Sequence, residues 1–299
     1  MKLQKKIKEL IKKRNAVLLV HNYQINEIQE IADYLGDSLG LAQKAAETEA
    51  DTIVFCGVKF MAETAKILSP AKRVLLPEID AGCPMANMIT PEDILDLKKK
   101  HPKAKVVSYV NTTAEVKAVS DVCCTSSNAV EVVKNIEADK IIFTPDTNLG
   151  QWVQRFVDKK LIIWDGFCYV HSRITPEEVL TTKNNFPDAP VIVHPECRKE
   201  VIDLADKVGS TGDMVRFARE SKAERIIIGT EEGLIDRLKR ENPTKEFYSA
   251  GSPQICQNMK KISLKSVYFA LENNHYEINL SHEIINSANQ ALQLMLEYS

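Results

Sequence analysis

No apolar run in this chain approaches the ~20 residues needed to cross a bilayer. The opening stretch Met1-Lys2-Leu3-Gln4-Lys5-Lys6 lacks the apolar centre of a signal peptide and reads as the start of a charged amphipathic helix. Together these two absences predict a cytoplasmic protein. Net charge is scarce as well. The 39 basic and 41 acidic side chains leave −2, so neither nucleic acid nor a membrane surface is expected as a partner. Cysteine is present, but not as a framework: seven in 299 residues, an odd count without crowding, which excludes a secreted disulfide fold. Close C-x2-C pairs, common in zinc sites, are missing too. So are Gly/Ser linkers and low-complexity stretches, and a chain of this length is expected to hold two or three tightly packed units.

What the chain does contain is repetition, which outranks other signals in deciding a fold. The run V-L-L-V-His21-Asn22-Tyr23 leads through Asp33 to Ser38. A second run, V-S-Tyr109-Val110-Asn111, leads through Asp121 to Ser126, and a third, V-I-V-His194-Pro195-Glu196, leads through Asp206 to Thr211. His21, Tyr109 and His194 stand 88 and 85 residues apart, and the Asp and Ser/Thr positions keep the same two offsets. Thr90-Pro91-Glu92 and Thr175-Pro176-Glu177, each a capping threonine followed by proline at the first helical position, are again 85 apart.

Each unit reads as short β-branched runs alternating with helices. The first has strands at 16–20, 52–56 and 73–76, with helices at about 26–35, 39–48 and 60–68. In the second, the strands are 105–110, 140–144 and 160–164 after a helix at 91–100. The third has strands at 190–193, 225–228 and 246–249, then closing helices at 263–273 and 282–297. An N-terminal helix covers 3–13. Continuous apolar strands joined by helices imply buried parallel sheets with right-handed crossovers. The expected fold is therefore α/β: three homologous α/β/α sandwich units around a pseudo-threefold axis, divided at 1–88, 89–173 and 174–299. A (β/α)8 barrel is the competing architecture. The period of about 85 with roughly four strands per unit fits three sheets better.

The repeat also sorts the cysteines. Cys56, Cys123, Cys124 and Cys197 have no cysteine at the equivalent positions and are expected to be small buried thiols. Cys83, Cys168 and Cys256 each follow the last strand of a unit. Threefold symmetry would bring their loops to one centre, unless they are structural cysteines sharing ancestry alone. Three sulfurs suit a tetrahedral zinc with one open position or an iron–sulfur cluster with one iron lacking a protein thiolate. Either is a Lewis acid. Single ligands from three distant loops favour the cluster.

His21-x-Tyr23, Tyr109-x-Asn111 and His194-x-Glu196 fall just past the first strand of each unit. Alternate residues of an extended segment face the same way, so each pair can look into one cavity at the strand carboxyl ends. His and Glu are natural acid–base groups there. Ser38, Ser126 and Thr211 are expected to cap helices starting beside the same strand ends, where hydroxyls and free N–H groups bind carboxylate or phosphate.

These residues resemble the quinolinate synthase (NadA) family of NAD biosynthesis. The resemblance rests on His21-Asn22-Tyr23-Gln24, Gly57-Val58-Lys59-Phe60-Met61-Ala62-Glu63, Cys83-Pro84-Met85-Ala86-Asn87 and Tyr109-Val110-Asn111. It continues through Thr125-Ser126-Ser127-Asn128-Ala129, Pro145-Asp146-Thr147-Asn148-Leu149-Gly150, Val193-His194-Pro195-Glu196-Cys197, Gly209-Ser210-Thr211-Gly212 and Cys256-Gln257-Asn258-Met259. Tyr169 stands where the family pattern has proline, and the last forty residues carry no family motif. The resemblance implies condensation of iminoaspartate with dihydroxyacetone phosphate to quinolinate, releasing phosphate and two waters. It implies a [4Fe–4S] cluster on Cys83, Cys168 and Cys256, whose fourth iron acts as Lewis acid. His21, Ser38, Tyr109, Asn111, Ser126, His194, Glu196 and Thr211 would bind substrate. Glu196 would be the main acid–base, with Tyr23, His21 and His194 relaying protons. An enzyme that oxidises L-aspartate is an implied functional partner. A zinc-dependent aldolase or lyase, and a non-catalytic iron–sulfur redox sensor, are the alternatives.

Overall fold

The computed structural model describes residues 2–298, and its twelve strands form three separate four-stranded sheets. The first holds β1 (Ala16–His21), β2 (Tyr34–Gly36), β3 (Thr52–Cys56) and β4 (Arg73–Leu75) in the order β2-β1-β3-β4. The second repeats this with β5 (Lys105–Tyr109), β6 (Val122–Cys124), β7 (Lys140–Thr144) and β8 (Lys160–Ile163) in the order β6-β5-β7-β8. The third contains β9 (Val191–Val193), β10 (Lys207–Val208), β11 (Arg225–Gly229) and β12 (Glu246–Ser249), again ordered β10-β9-β11-β12. Every pairing within them is parallel, and three open sheets rule out the single closed barrel.

The constant offsets have a structural cause. Val20, Ser108 and Val193 pair with Cys56, Thr144 and Gly229, so the central register is the same in all three units. Asp33, Asp121 and Asp206 each turn a carboxylate oxygen back to the strand N–H of Leu18, Val106 and Val191, at 2.8 Å in every case. That bond fixes the return of the chain into the edge strand.

The helix expected at about 26–35 is shorter than its pattern suggests. Only Asn26–Gln29 is helical, and Tyr34–Gly36 is strand β2, with Leu35 facing Val20 across the ladder. Ile28, Ile31 and Leu35 sit at helical spacing, but pairing with β1 offers residues 34–36 backbone partners that a lone helical turn lacks.

The central strands are buried on both faces by apolar side chains. One core spans the first two units and the C-terminal helix His282–Glu297, whose Ile285, Ala288, Ala291, Leu292 and Met295 are buried. This helix packs on Lys59–Leu68, on Ala114–Ala118 and on β6, while Leu264–Asn273 packs on the N-terminal helix Lys2–Lys13. The last segment of the chain thus returns to close the first two units. The third has apolar clusters of its own. Among the described residues, no helix is long and apolar enough to cross a membrane.

Candidate active site

One cavity lies where the three units meet. It is lined by His21, Tyr23 and Ser38 of the first unit and by Tyr109, Asn111 and Ser126 of the second. His194, Glu196 and Thr211 come from the third, and Cys83, Cys168 and Cys256 complete the wall, one from each unit. The three strand-end pairs, the three hydroxyl residues and the three unit-related cysteines therefore line the same space.

The three cysteine loops are built alike. The backbone N–H groups of Lys59, Thr147 and Glu232 donate to the carbonyls of Ala81, Gly166 and Gln254 at 2.8, 2.7 and 2.9 Å. Each acceptor lies two residues before a cysteine. A 3-10 turn follows each cysteine: Met85–Asn87, His171–Arg173 and Met259–Lys261. None of the three forms a disulfide. Burial pushes the Cys83 thiol up to about 12 and raises Cys168 and Cys256 as well. Backbone N–H groups of Met85, Ala86, His171, Asn258 and Met259 work in the opposite direction, because they point at the sulfurs and favour thiolate. Sulfurs that are half-buried, mutually repelling as thiolates and yet served by N–H donors suit a bound cationic centre. In that respect the three fit an iron–sulfur cluster. Tyr169, the departure from the family pattern, uses its hydroxyl to accept the N–H of Gln257 at 3.0 Å, joining the Cys168 loop to the Cys256 loop. Cys56, Cys123, Cys124 and Cys197 are fully buried, as expected of core thiols.

The strand-end pairs line the same cavity. His21 Nδ1 accepts the backbone N–H of Tyr23 at 3.2 Å, and His194 Nδ1 accepts that of Glu196 at 3.3 Å. Burial lowers His21 to about 4 and His194 to about 3, so both are neutral near pH 7 and carry their proton on Nε2. Glu196 is buried, which favours its neutral form, but nearby His171 and the Tyr109 hydroxyl outweigh this and hold it well below the usual carboxylate range. Its Oε1 accepts from Tyr109 at 2.6 Å, and its Oε2 lies 2.7 Å from His171 Nδ1. Burial, with the Glu196 charge second, raises both Tyr109 and Tyr23, so each phenol keeps its proton.

His171, stacked on His194 at 4.5 Å, continues the path: its Nε2 lies 2.8 Å from Thr230 Oγ1, itself 2.6 Å from the Tyr23 hydroxyl. Tyr109, Glu196, His171, Thr230 and Tyr23 thus form one unbroken contact series across the three units. His171 and Thr230 were not foreseen. Their counterparts by the repeat are Ala86 and Met259 for His171, and Gly57 and Pro145 for Thr230, so symmetry gave no signal.

The capping expectation needs correction. Ser38 and Thr211 lie one residue inside their helices, and the caps are Asp37, accepting from Gly40 N, and Ser210, accepting from Asp213 N. Ser126 lies in the turn before Asn128, the first flanking residue of Ala129–Asn135. With capping done by a neighbour, the hydroxyls of Ser38 and Thr211 are left to the cavity; Thr211 is steered by Asn22 Nδ2 at 2.9 Å. Asp37 also reaches the axis, accepting from Ser127 Oγ at 2.9 Å and Ser210 Oγ at 3.4 Å. Asn111 Oδ1 is buried at the cavity wall without a hydrogen-bond partner.

A family model described as quinolinate synthetase A protein matches residues 5–297, so the family likeness includes the C-terminal helix, where no motif is visible by eye. A protein named quinolinate synthase from Caldicellulosiruptor saccharolyticus is 54% identical over 299 residues, covering 100% of this chain and 99% of its own length. Another of that name, from Thermodesulfovibrio yellowstonii, is 54% identical over 96% of this chain and 95% of its own length. One from Methanoregula boonei is 52% identical, over 98% and 97%. With a match from end to end and a cavity built from the motif residues, this chain belongs to the quinolinate synthetase A family.

Proposed function

We propose that this chain condenses iminoaspartate with dihydroxyacetone phosphate to quinolinate, with release of phosphate and two waters. The observation that carries the reading is the single cavity shared by three unit-related cysteines and the acid–base ring. Cys83, Cys168 and Cys256 would hold a [4Fe–4S] cluster. Bound there, the cluster supplies a Lewis acid at the iron without a protein ligand.

The protein's own groups have distinct tasks. Ser38, Ser126 and Thr211, at or near helix N-termini, hold the substrate carboxylates and phosphate. Asn111 brings an acceptor oxygen that a substrate N–H or O–H satisfies. His21 and His194 donate from Nε2 while remaining uncharged. Glu196, ionised, takes protons during isomerisation and dehydration. Tyr109 holds its Oε1, and the His171–Thr230–Tyr23 series moves protons between Glu196 and the far side of the cavity. A redox sensor would have no use for this series. We place the reaction in the cytoplasm, where a reducing poise keeps seven cysteines as thiols, and infer that an enzyme oxidising L-aspartate supplies the unstable imine.

Protein prepared without oxygen is expected to hold about four iron and four sulfide per chain, to show the EPR signal of a reduced cluster, and to form quinolinate. Glu196→Gln is expected to retain the iron and lose about 100-fold or more in turnover. Quinolinate formation by zinc-loaded protein free of iron and sulfide would overturn the cofactor assignment. Full turnover in Glu196→Gln with its cluster intact would overturn the role of Glu196.

A further inference from the structure

Cys168, His171 and Glu196 present one ligand atom each within 4.8 Å of one another, the one group of three or more His, Cys, Asp or Glu side chains so arranged among the described residues. His171 and Glu196 are almost wholly buried, at 1% and 3% exposed. Their free atoms face each other. Glu196 Oε1 is occupied by Tyr109, which leaves Oε2; His171 Nε2 is occupied by Thr230, which leaves Nδ1. Nδ1 and Oε2 are 2.7 Å apart, yet Nδ1 has no partner of hydrogen-bonding geometry. Thr230 can accept from or donate to Nε2, so Nδ1 either carries a proton toward Oε2 or, once that proton leaves, turns a lone pair to it. A cation can take the place of that proton between the two atoms, and the Cys168 sulfur lies within 4.8 Å of both.

We propose that the cluster-free chain binds a single divalent ion of the zinc class on Cys168 Sγ, His171 Nδ1 and Glu196 Oε2, and that this ion competes with cluster assembly because Cys168 belongs to both. One thiolate, one imidazole and one carboxylate form a donor set that zinc accepts in tetrahedral geometry, and the open cavity leaves the fourth position to water. Binding releases the Cys168 thiol proton, together with any proton shared by His171 and Glu196, to solvent. Thr230 then orients the ring through the other nitrogen, as metal-bound histidines require. The inference goes beyond the proposed reaction: it concerns the chain before the cluster is in place, and His171 is no ligand of that cluster.

The test uses cluster-free protein without oxygen, titrated with Zn2+ against a chromophoric chelator, and with Co2+ for optical and X-ray absorption spectra. One ion per chain with a single sulfur ligand is expected. His171→Ala is expected to weaken zinc by more than about tenfold while still assembling four iron, and Cys83→Ala/Cys256→Ala to keep zinc while losing the cluster. Zinc-loaded wild type is expected to take up iron and sulfide only after chelation. Three sulfur ligands in the wild-type spectrum, no stoichiometric binding, or His171→Ala binding zinc at wild-type strength would each overturn the proposal. Iron uptake and quinolinate formation by wild-type protein test the proposed function separately, whichever way zinc behaves.

Discussion

The second and third units hold their cysteine loops differently from the first. Asp146 accepts the N–H of Cys168 at 3.2 Å and of Leu149 at 2.7 Å. Glu231 accepts the N–H of Cys256 at 3.0 Å and of Gly233 at 2.7 Å, and is paired with Lys260 at 2.8 Å. Both carboxylates are fully buried and occupy the same place in the repeat; the first unit has Val58 there. Its carboxylate sits elsewhere, as Asp37 on the axis, where it meets a serine from each of the other two units. Pseudo-symmetry conserves the backbone path, and the charges can be distributed unequally upon it. Two of the cysteine loops are anchored by buried carboxylates, and the first unit is tied to its neighbours through Asp37.

Breaking the anchors should have the largest effect. Asp146→Ala or Glu231→Ala leaves two buried N–H groups unsatisfied, at roughly 4 kcal/mol in denaturant unfolding, with faster iron loss to a chelator. Val58→Ala, the matched change in the first unit, should cost only about 1–2 kcal/mol and leave iron retention unchanged.

His21 of the first unit and His194 of the third should behave alike, since burial holds both neutral. Each has a folded pKa below its unfolded value, so the unfolded state binds more protons and stability is lost as pH falls from about 6.5 towards about 4 for His21. Compared with wild type, His21→Gln should therefore lose less stability across that window, by up to about 3 kcal/mol at pH 4. Equal losses in both proteins would show that His21 charges freely in the folded state. Buried Asp146, Glu63 and Glu231 are shifted upward and oppose the histidines, and for that reason the difference between the two proteins is the quantity to measure.

A smaller change should follow at Thr230, the third unit's link to Tyr23. Thr230→Val removes the hydroxyl at similar volume, and turnover should fall by about 10-fold, less than the roughly 100-fold or more of a direct acid–base group, with iron content unchanged. The smallest effect is expected on the axis. A Cβ at Gly212 would lie 2.5 Å from Asp37 Oδ2, so Gly212→Ala should displace that carboxylate and cost about 1 kcal/mol.

Much of this architecture was legible because three copies of one pattern were available for comparison. Three strands of each sheet, the three cysteine loops and the strand-end pairs all follow from the repeat; the edge strands β2, β6 and β10 and the register of pairing do not. Features peculiar to a single unit were hidden from that comparison. Residues 34 and 35 read as the end of a helix because apolar spacing is local, whereas the pairing of 34–36 with β1 is not. His171 and Thr230 had no counterparts, and Asp37 and Ser210 were passed over because a cap one residue earlier leaves almost the same sequence pattern.

The sequence by itself determined the repeat, the alternation of strand and helix, and which cysteines stand at equivalent positions, because hydrophobic period and turn chemistry are written locally along the chain. Only the tertiary structure decided that Glu196 is held ionised by Tyr109 and His171, that Thr230 links His171 to Tyr23, and that Cys168, His171 and Glu196 meet. Burial and contacts of a few ångströms between residues from different units set those properties, and neither exists until the three sheets have packed around their common cavity.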